Sequence, residues 1–151
     1  MSAQDSLESL PVQLVAEHRR LDELFGGFLA AVSAADADAS AAAIEAFDKA
    51  LRRHTELEEE QLYPASPSEK LAAAEGEPQE ARRFRELRLE HVQVREVSGI
   101  IRRLLAEKRD LEGARRLAGN LARRWDAHTT REEREVLRAP SSVPSPGRGS
   151  G

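Results

Sequence analysis

The sequence predicts an all-α protein, an up-down-up-down antiparallel four-helix bundle, and three observations carry that expectation. Four stretches repeat apolar residues at spacings of three and four, the period of one helix face. Charged residues make up 33% of the chain against one Trp, one Tyr and four Phe, the balance of long helices with solvated outer faces. Each stretch also carries one of the four histidines on its inner stripe.

The elements follow in order. After a polar lead, Pro11 suits the first turn of helix one, with Ser9 as its cap. Leu14, His18, Leu21, Phe25, Phe28 and Val32 form its stripe, which runs to about Ala35. Gly26 and Gly27 cost roughly 1 kcal/mol each in propensity and mark a bend or a close helix contact without ending the helix. The segment from Asp36 to Ser40 reads as a turn that caps helix two, because Asp and Ser accept from free backbone amides. Ile44, Phe47, Leu51, His54, Glu58 and Leu62 form the second stripe, with Leu57 alongside, and Pro64 ends it by restricting Tyr63. Glu56, Glu59 and Glu60 fall off this stripe and read as solvated.

Residues 64–78 contain three prolines and a glycine, so they form the longest connection, with one short turn around Leu71. Pro78 then opens helix three, whose stripe is Phe84, Leu87, His91, Val94, Ser98, Ile101 and Leu105. Asp110 caps helix four, where Leu117, Leu121, Trp125, His128 and Glu132 share a face ahead of Val136 and Leu137. The bundle is expected over residues 1–137. Residues 138–151, rich in Pro, Gly and Ser, have almost nothing to bury and are expected to be a disordered tail.

Composition excludes several classes. A net charge of -4, with Arg interleaved among Glu, gives no basic field, so neither nucleic acid nor an acidic membrane is an expected partner. No cysteine is present, which removes disulfides and thiolate metal sites and leaves nitrogen and oxygen as donors. The N-terminus lacks a basic segment followed by an apolar run, and no stretch approaches the ~20 apolar residues of a membrane span; a cytoplasmic protein is expected, as a monomer or weak homodimer.

Counting along the helices groups the histidines. His18 lies about 16 residues before the first turn and His54 about 14 after it, so both sit roughly 21–24 Å from it. The same count around Asp110 levels His91 with His128 to within roughly 3 Å. The long connection hides the offset between the two pairs, so their convergence is an inference from chemistry. Glu58 and Glu132, each four residues after a histidine, would be buried acids, which cost several kcal/mol unless paired or bound to metal. If each stripe covers about three of every seven positions, chance places all four histidines inward in roughly 3% of cases.

The order of these residues is a histidine, then His-x-x-x-Glu followed by EE-x-LYP, then Glu-His, then His-x-x-x-Glu-Glu. It resembles the hemerythrin-like, or HHE cation-binding, domain family over about residues 10 to 137. The resemblance implies a non-haem di-iron centre, oxo- or hydroxo-bridged, with His18, His54, His91 and His128 as nitrogen ligands and Glu58 and Glu132 as bridging carboxylates. Two positions depart from oxygen-carrying members. Arg95 stands where a fifth histidine is usual, and it has no lone pair to offer. The last motif usually has an acid five residues after its histidine; Glu132 is four on and keeps the better register, with Glu133 as the alternative.

Four imidazoles for two irons leave positions for a small oxidant or gas: dioxygen, peroxide or nitric oxide. Peroxide removal of a catalase or peroxidase type ranks first, and an iron-sensing or regulatory bundle without turnover is the alternative. Zinc or manganese on the same ligands is a further variant. Tyr63 reads more simply as an aromatic closing the bundle end than as a group bonded to the site. Trp125, one turn before His128, reads as packing that keeps water away.

Overall fold

Two tight turns of identical design set the topology. The computed structural model describes residues 3–63 and 79–137, which fold as α1 (Ala3–Ser33), α2 (Ala37–Gln61), α3 (Gln79–Lys108) and α4 (Leu111–Glu132). One wider π-type turn, Glu133–Leu137, continues α4. The expected connector with its turn near Leu71, the role given to Pro78, and the tail from Arg138 lie outside the described residues. Between α1 and α2, Ala35 adopts a left-handed φ of 56° and Asp36 then accepts from the Ala39 N–H at 3.0 Å. Between α3 and α4, Arg109 has φ 50° and Asp110 accepts from the Gly113 N–H at 2.8 Å. Each left-handed residue costs roughly 1–2 kcal/mol, which the cap beside it offsets by about 1 kcal/mol. Both aspartates are the caps the sequence predicts.

Cross-helix contacts fix the directions. Asp48 pairs with Ser98 and Glu59 with His91, so residue numbers fall along α2 as they rise along α3. Trp125 bonds Asp22 while Arg115 reaches the Val32 carbonyl, which sets α1 against α4 in the same antiparallel sense. With the two short turns, this is the up-down-up-down four-helix bundle expected from the sequence.

α1 begins earlier than Pro11 suggests, and Pro11 lies inside it. Proline has no N–H for the carbonyl four residues back, a local cost of roughly 3 kcal/mol in a helix interior. Packing overrides that cost: Leu10 and Leu14 bury against Leu137, with Val15, Leu57 and Leu62 around them. The paired glycines do not interrupt α1 and admit no close neighbour, since a Cβ at Gly26 or Gly27 would meet nothing within 4 Å.

The main apolar core lies toward the two tight turns and is built from Leu21, Phe25, Phe28 and Val32 of α1, Phe47 and Leu51 of α2, Ile101 of α3 and Leu121 of α4, among others. Smaller apolar clusters close the opposite end, around Leu14 with Leu137 and around Tyr63 with Phe84 and Leu87. A polar layer separates the main core from these clusters. No helix among the described residues is long and apolar enough to cross a membrane.

Candidate metal centre

The layer contains one histidine from each helix. His18, His54, His91 and His128 are all buried, as are Glu58 and Glu132, and their side chains meet between the four helices. The two pairs inferred separately from counting therefore share one depth. They are also near copies of each other. The rings of His18 and His54 are 4.8 Å apart at 67°, and those of His91 and His128 are 4.7 Å apart at 66°.

Every imidazole is oriented the same way, with Nε2 turned inward to the carboxylates. Glu58 Oε1 lies 3.1 Å from both His54 Nε2 and His91 Nε2, and Glu58 Oε2 lies 3.7 Å from His18 Nε2. Glu132 presents Oε1 to His18 at 3.0 Å and Oε2 to His128 at 3.6 Å. Two groups of potential ligands result, His18/His54/Glu58/Glu132 and Glu58/His91/His128/Glu132, which share both acids.

Every Nδ1 turns outward to a different carboxylate. Glu17 of α1 holds His54 of α2 at 2.8 Å, and Glu59 of α2 holds His91 of α3 at 3.2 Å. Glu90 of α3 holds His128 of α4 at 2.8 Å, and Glu133, after α4, returns to His18 of α1 at 2.8 Å. The four contacts close a ring around the bundle, each segment steadying the next helix's histidine. A carboxylate on Nδ1 fixes the tautomer, leaving the Nε2 lone pair free and more basic, the usual arrangement around a metal-ligating histidine.

This ring corrects one sequence expectation and agrees with another. Glu59 is not simply solvated, whereas Glu56 and Glu60 are exposed as expected. Of the two candidates after His128, Glu132 faces inward and Glu133 serves the outer ring. A signal for the ring did exist: each outer acid is the sequence neighbour of an inner residue, in Glu17-His18, Glu58-Glu59, Glu90-His91 and Glu132-Glu133. Adjacent helical residues point about 100° apart, so when one faces the core the next can face the neighbouring helix.

The inward atoms are all Lewis bases, and most lack a hydrogen-bond partner. Of the eight inward atoms, four Nε2 and four carboxylate oxygens, six have no hydrogen bond: His18, His54 and His128 Nε2, both oxygens of Glu58, and Glu132 Oε1. The other two, His91 Nε2 and Glu132 Oε2, are those that the Tyr63 hydroxyl meets. Buried polar atoms are rarely left without a partner, and imidazole and carboxylate donors converging on one point in this way fit a cation.

Tyr63 is fully buried, stacks on His91 with centroids 5.5 Å apart, and donates its hydroxyl to Glu132. It is bonded to the layer, contrary to the simpler reading of an end aromatic. Burial and the nearby Glu132 and Glu58 push its phenol far above the ordinary value, which keeps the proton on oxygen. Trp125 packs edge-on to His18 at 5.7 Å and donates Nε1–H to Asp22 at 2.9 Å, so it walls the site as expected. Arg95 turns from the layer toward Thr55 Oγ1 at 3.4 Å and Glu59 at 3.6 Å.

Protons balance charge in this layer. Burial lowers the His18 imidazolium, but Glu132 and Glu58 outweigh it and push it up to about 10. His91 is likewise lowered by burial and raised by Glu58 and Glu59, to about 9. Glu58 is raised by burial but held well below the usual carboxylate range by Glu132 and three histidines, whereas burial and Glu58 push Glu132 up. The two acids are thus driven in opposite directions by their shared burial and mutual repulsion.

Fold and site together define a helical bundle of the metal-binding class. The model of the hemerythrin HHE cation-binding domain matches residues 10–139, and the chain belongs to that family. No curated protein and no solved structure matches the chain.

Proposed function

We propose that this protein holds two non-haem irons on His18, His54, His91, His128, Glu58 and Glu132, and binds a small oxidant there: dioxygen, peroxide or nitric oxide. The observation that carries this reading is the set of six buried, inward, unpartnered donor atoms backed by four outer carboxylates. Two imidazoles and a share of two carboxylates per ion suit iron in both oxidation states and leave coordination positions open. When bound, iron would supply redox and Lewis-acid chemistry. The chain's own contributions are orientation of the imidazoles by Glu17, Glu59, Glu90 and Glu133, exclusion of water by Trp125, and a protonated hydroxyl at Tyr63 beside Glu132.

A cleft of about 750 Å³ between α1 and α2 has Glu17 and His54 in its lining. Entry of a small ligand from this cleft is part of the proposal, with hydrogen peroxide removal as the leading activity. Protein loaded with ferrous iron should carry about two irons per chain, show ligand-to-metal absorption in the near ultraviolet, and consume peroxide. Chains that stay colourless and metal-free after loading would refute the reading.

The regulatory alternative rests on the same unpartnered atoms, because a layer this short of partners should be strongly stabilised by a cation. It predicts a large rise in melting temperature and protease resistance with iron but no peroxide consumption. Elemental analysis separates both readings from a zinc or manganese site.

A further inference from the structure

The two halves of the layer are near copies in ring geometry, yet their surroundings differ in charge. On the His91/His128 side both outer carboxylates face an arginine. Glu90 receives Arg131 at 2.8 Å, within a network in which Arg131 also meets Glu86 and Glu135 and those two acids meet Arg82 and Arg83, and Glu59 faces Arg95 at 3.6 Å. Arg88 lies over the Tyr63 ring at 5.6 Å, and the Tyr63 hydroxyl draws on Glu132 Oε2, the oxygen turned to that side. On the His18/His54 side the outer carboxylates have no such partner. Among the described residues neither Glu17 nor Glu133 forms an ion pair with Arg or Lys, and Glu17's other contact is the neutral amide of Gln13 at 3.3 Å. Arg20, Lys49 and Arg53 line the adjoining cleft, but they do so with Glu56 and Glu60 and in open solvent, where their field is screened. The position matching Tyr63, five residues after the inner glutamate, is Leu137 in the other half, which packs on Leu10 and Leu14 and offers no donor.

We infer that the halves are electrostatically unequal, so that a divalent cation enters the His18/His54 half first and more tightly, with Glu17 and Glu133 as the positioning residues that set the difference. A carboxylate without a counter-cation leaves more negative potential on its imidazole and raises that ring's donor strength. One paired with an arginine leaves less. The inference rests on the two-ion reading above and adds an order of filling to it.

Zinc titrated into the full, metal-free chain provides the test, read by calorimetry and by the 15N shifts of the four imidazole Nε2 atoms. In the first equivalent, His18 and His54 should take the large shift of direct ligation; His91 and His128 should follow in the second. Glu17→Gln should weaken the first step about tenfold and leave the second nearly unchanged. Arg131→Gln should tighten the second step and narrow the gap. A merely structural role for Glu17 would alter melting without altering the order. Two zinc ions entering with equal constants, the reverse order, or an equal loss in both steps for Glu17→Gln overturns the inequality alone. Uptake of fewer than two ions overturns the two-ion reading beneath it.

Discussion

The two ends of this bundle solve opposite problems with the same helices. Toward the tight turns, Phe25, Phe28, Phe47 and Leu51 fill the interior with apolar atoms, and burial itself is stabilising. Beyond Trp125 the same stripes carry His and Glu, and burial there is costly until charge is balanced. The first region holds the fold together; the second uses that stability to hold donor atoms together away from water. Stability and function thus lie in neighbouring layers, so substitutions in one should leave the other largely intact.

Removing a shared acid should give the largest effect. Glu58→Gln takes away the carboxylate that approaches three of the histidines, and is expected to abolish retention of both ions after dialysis against a chelator while the helical circular dichroism persists. Retention of two ions would show that Glu58 is not shared. Next, Phe47→Ala in the apolar layer should cost about 3–5 kcal/mol in denaturant unfolding, with and without metal, yet leave metal stoichiometry unchanged. Metal loss in that variant would mean the layers are coupled.

The charge balance of the polar layer predicts a smaller, pH-dependent effect. His18 and His91 bind protons more tightly folded, near 10 and 9, than unfolded, near 6.5. Their stabilisation of the metal-free protein is therefore complete below about pH 6.5 and is lost as pH rises through 9 to 10. Melting of metal-free protein should fall across that window; bound metal, having displaced the protons, should remove the slope. A flat profile without metal would place the balancing charge elsewhere. At the bottom of the scale, Gly26→Ala on the exposed side of α1 should raise stability by up to about 1 kcal/mol and leave the metal centre untouched, measured by thermal melting.

Much of this was legible before any coordinates. The stripe from Leu14 to Val32 and its three counterparts place one histidine inward on each helix, because helical period is a local property of the chain. Asp36 and Asp110 mark their turns because a side-chain cap acts on its own backbone three residues on. Even the shared depth of His18 with His54, and of His91 with His128, followed from residue counts on either side of a short turn. Local rules misjudged Pro11, where a tertiary contact of Leu10 and Leu14 with Leu137 outweighs the proline's preference for a helix start.

What only the tertiary structure decided is which partner each outer residue meets. Glu59 and Glu60 are adjacent and chemically identical, yet Glu59 holds His91 and Glu60 faces solvent. The hundred-degree step between neighbours is written in the chain, but the direction from which the next helix approaches is not. Tyr63 over Glu132 and Glu133 on His18 depend in the same way on packing between segments distant in sequence. The amino-acid order thus sets the identity and depth of the inner donors through periodicity. The arrangement of helices around them selects the carboxylates, and hence the charge, that each donor feels.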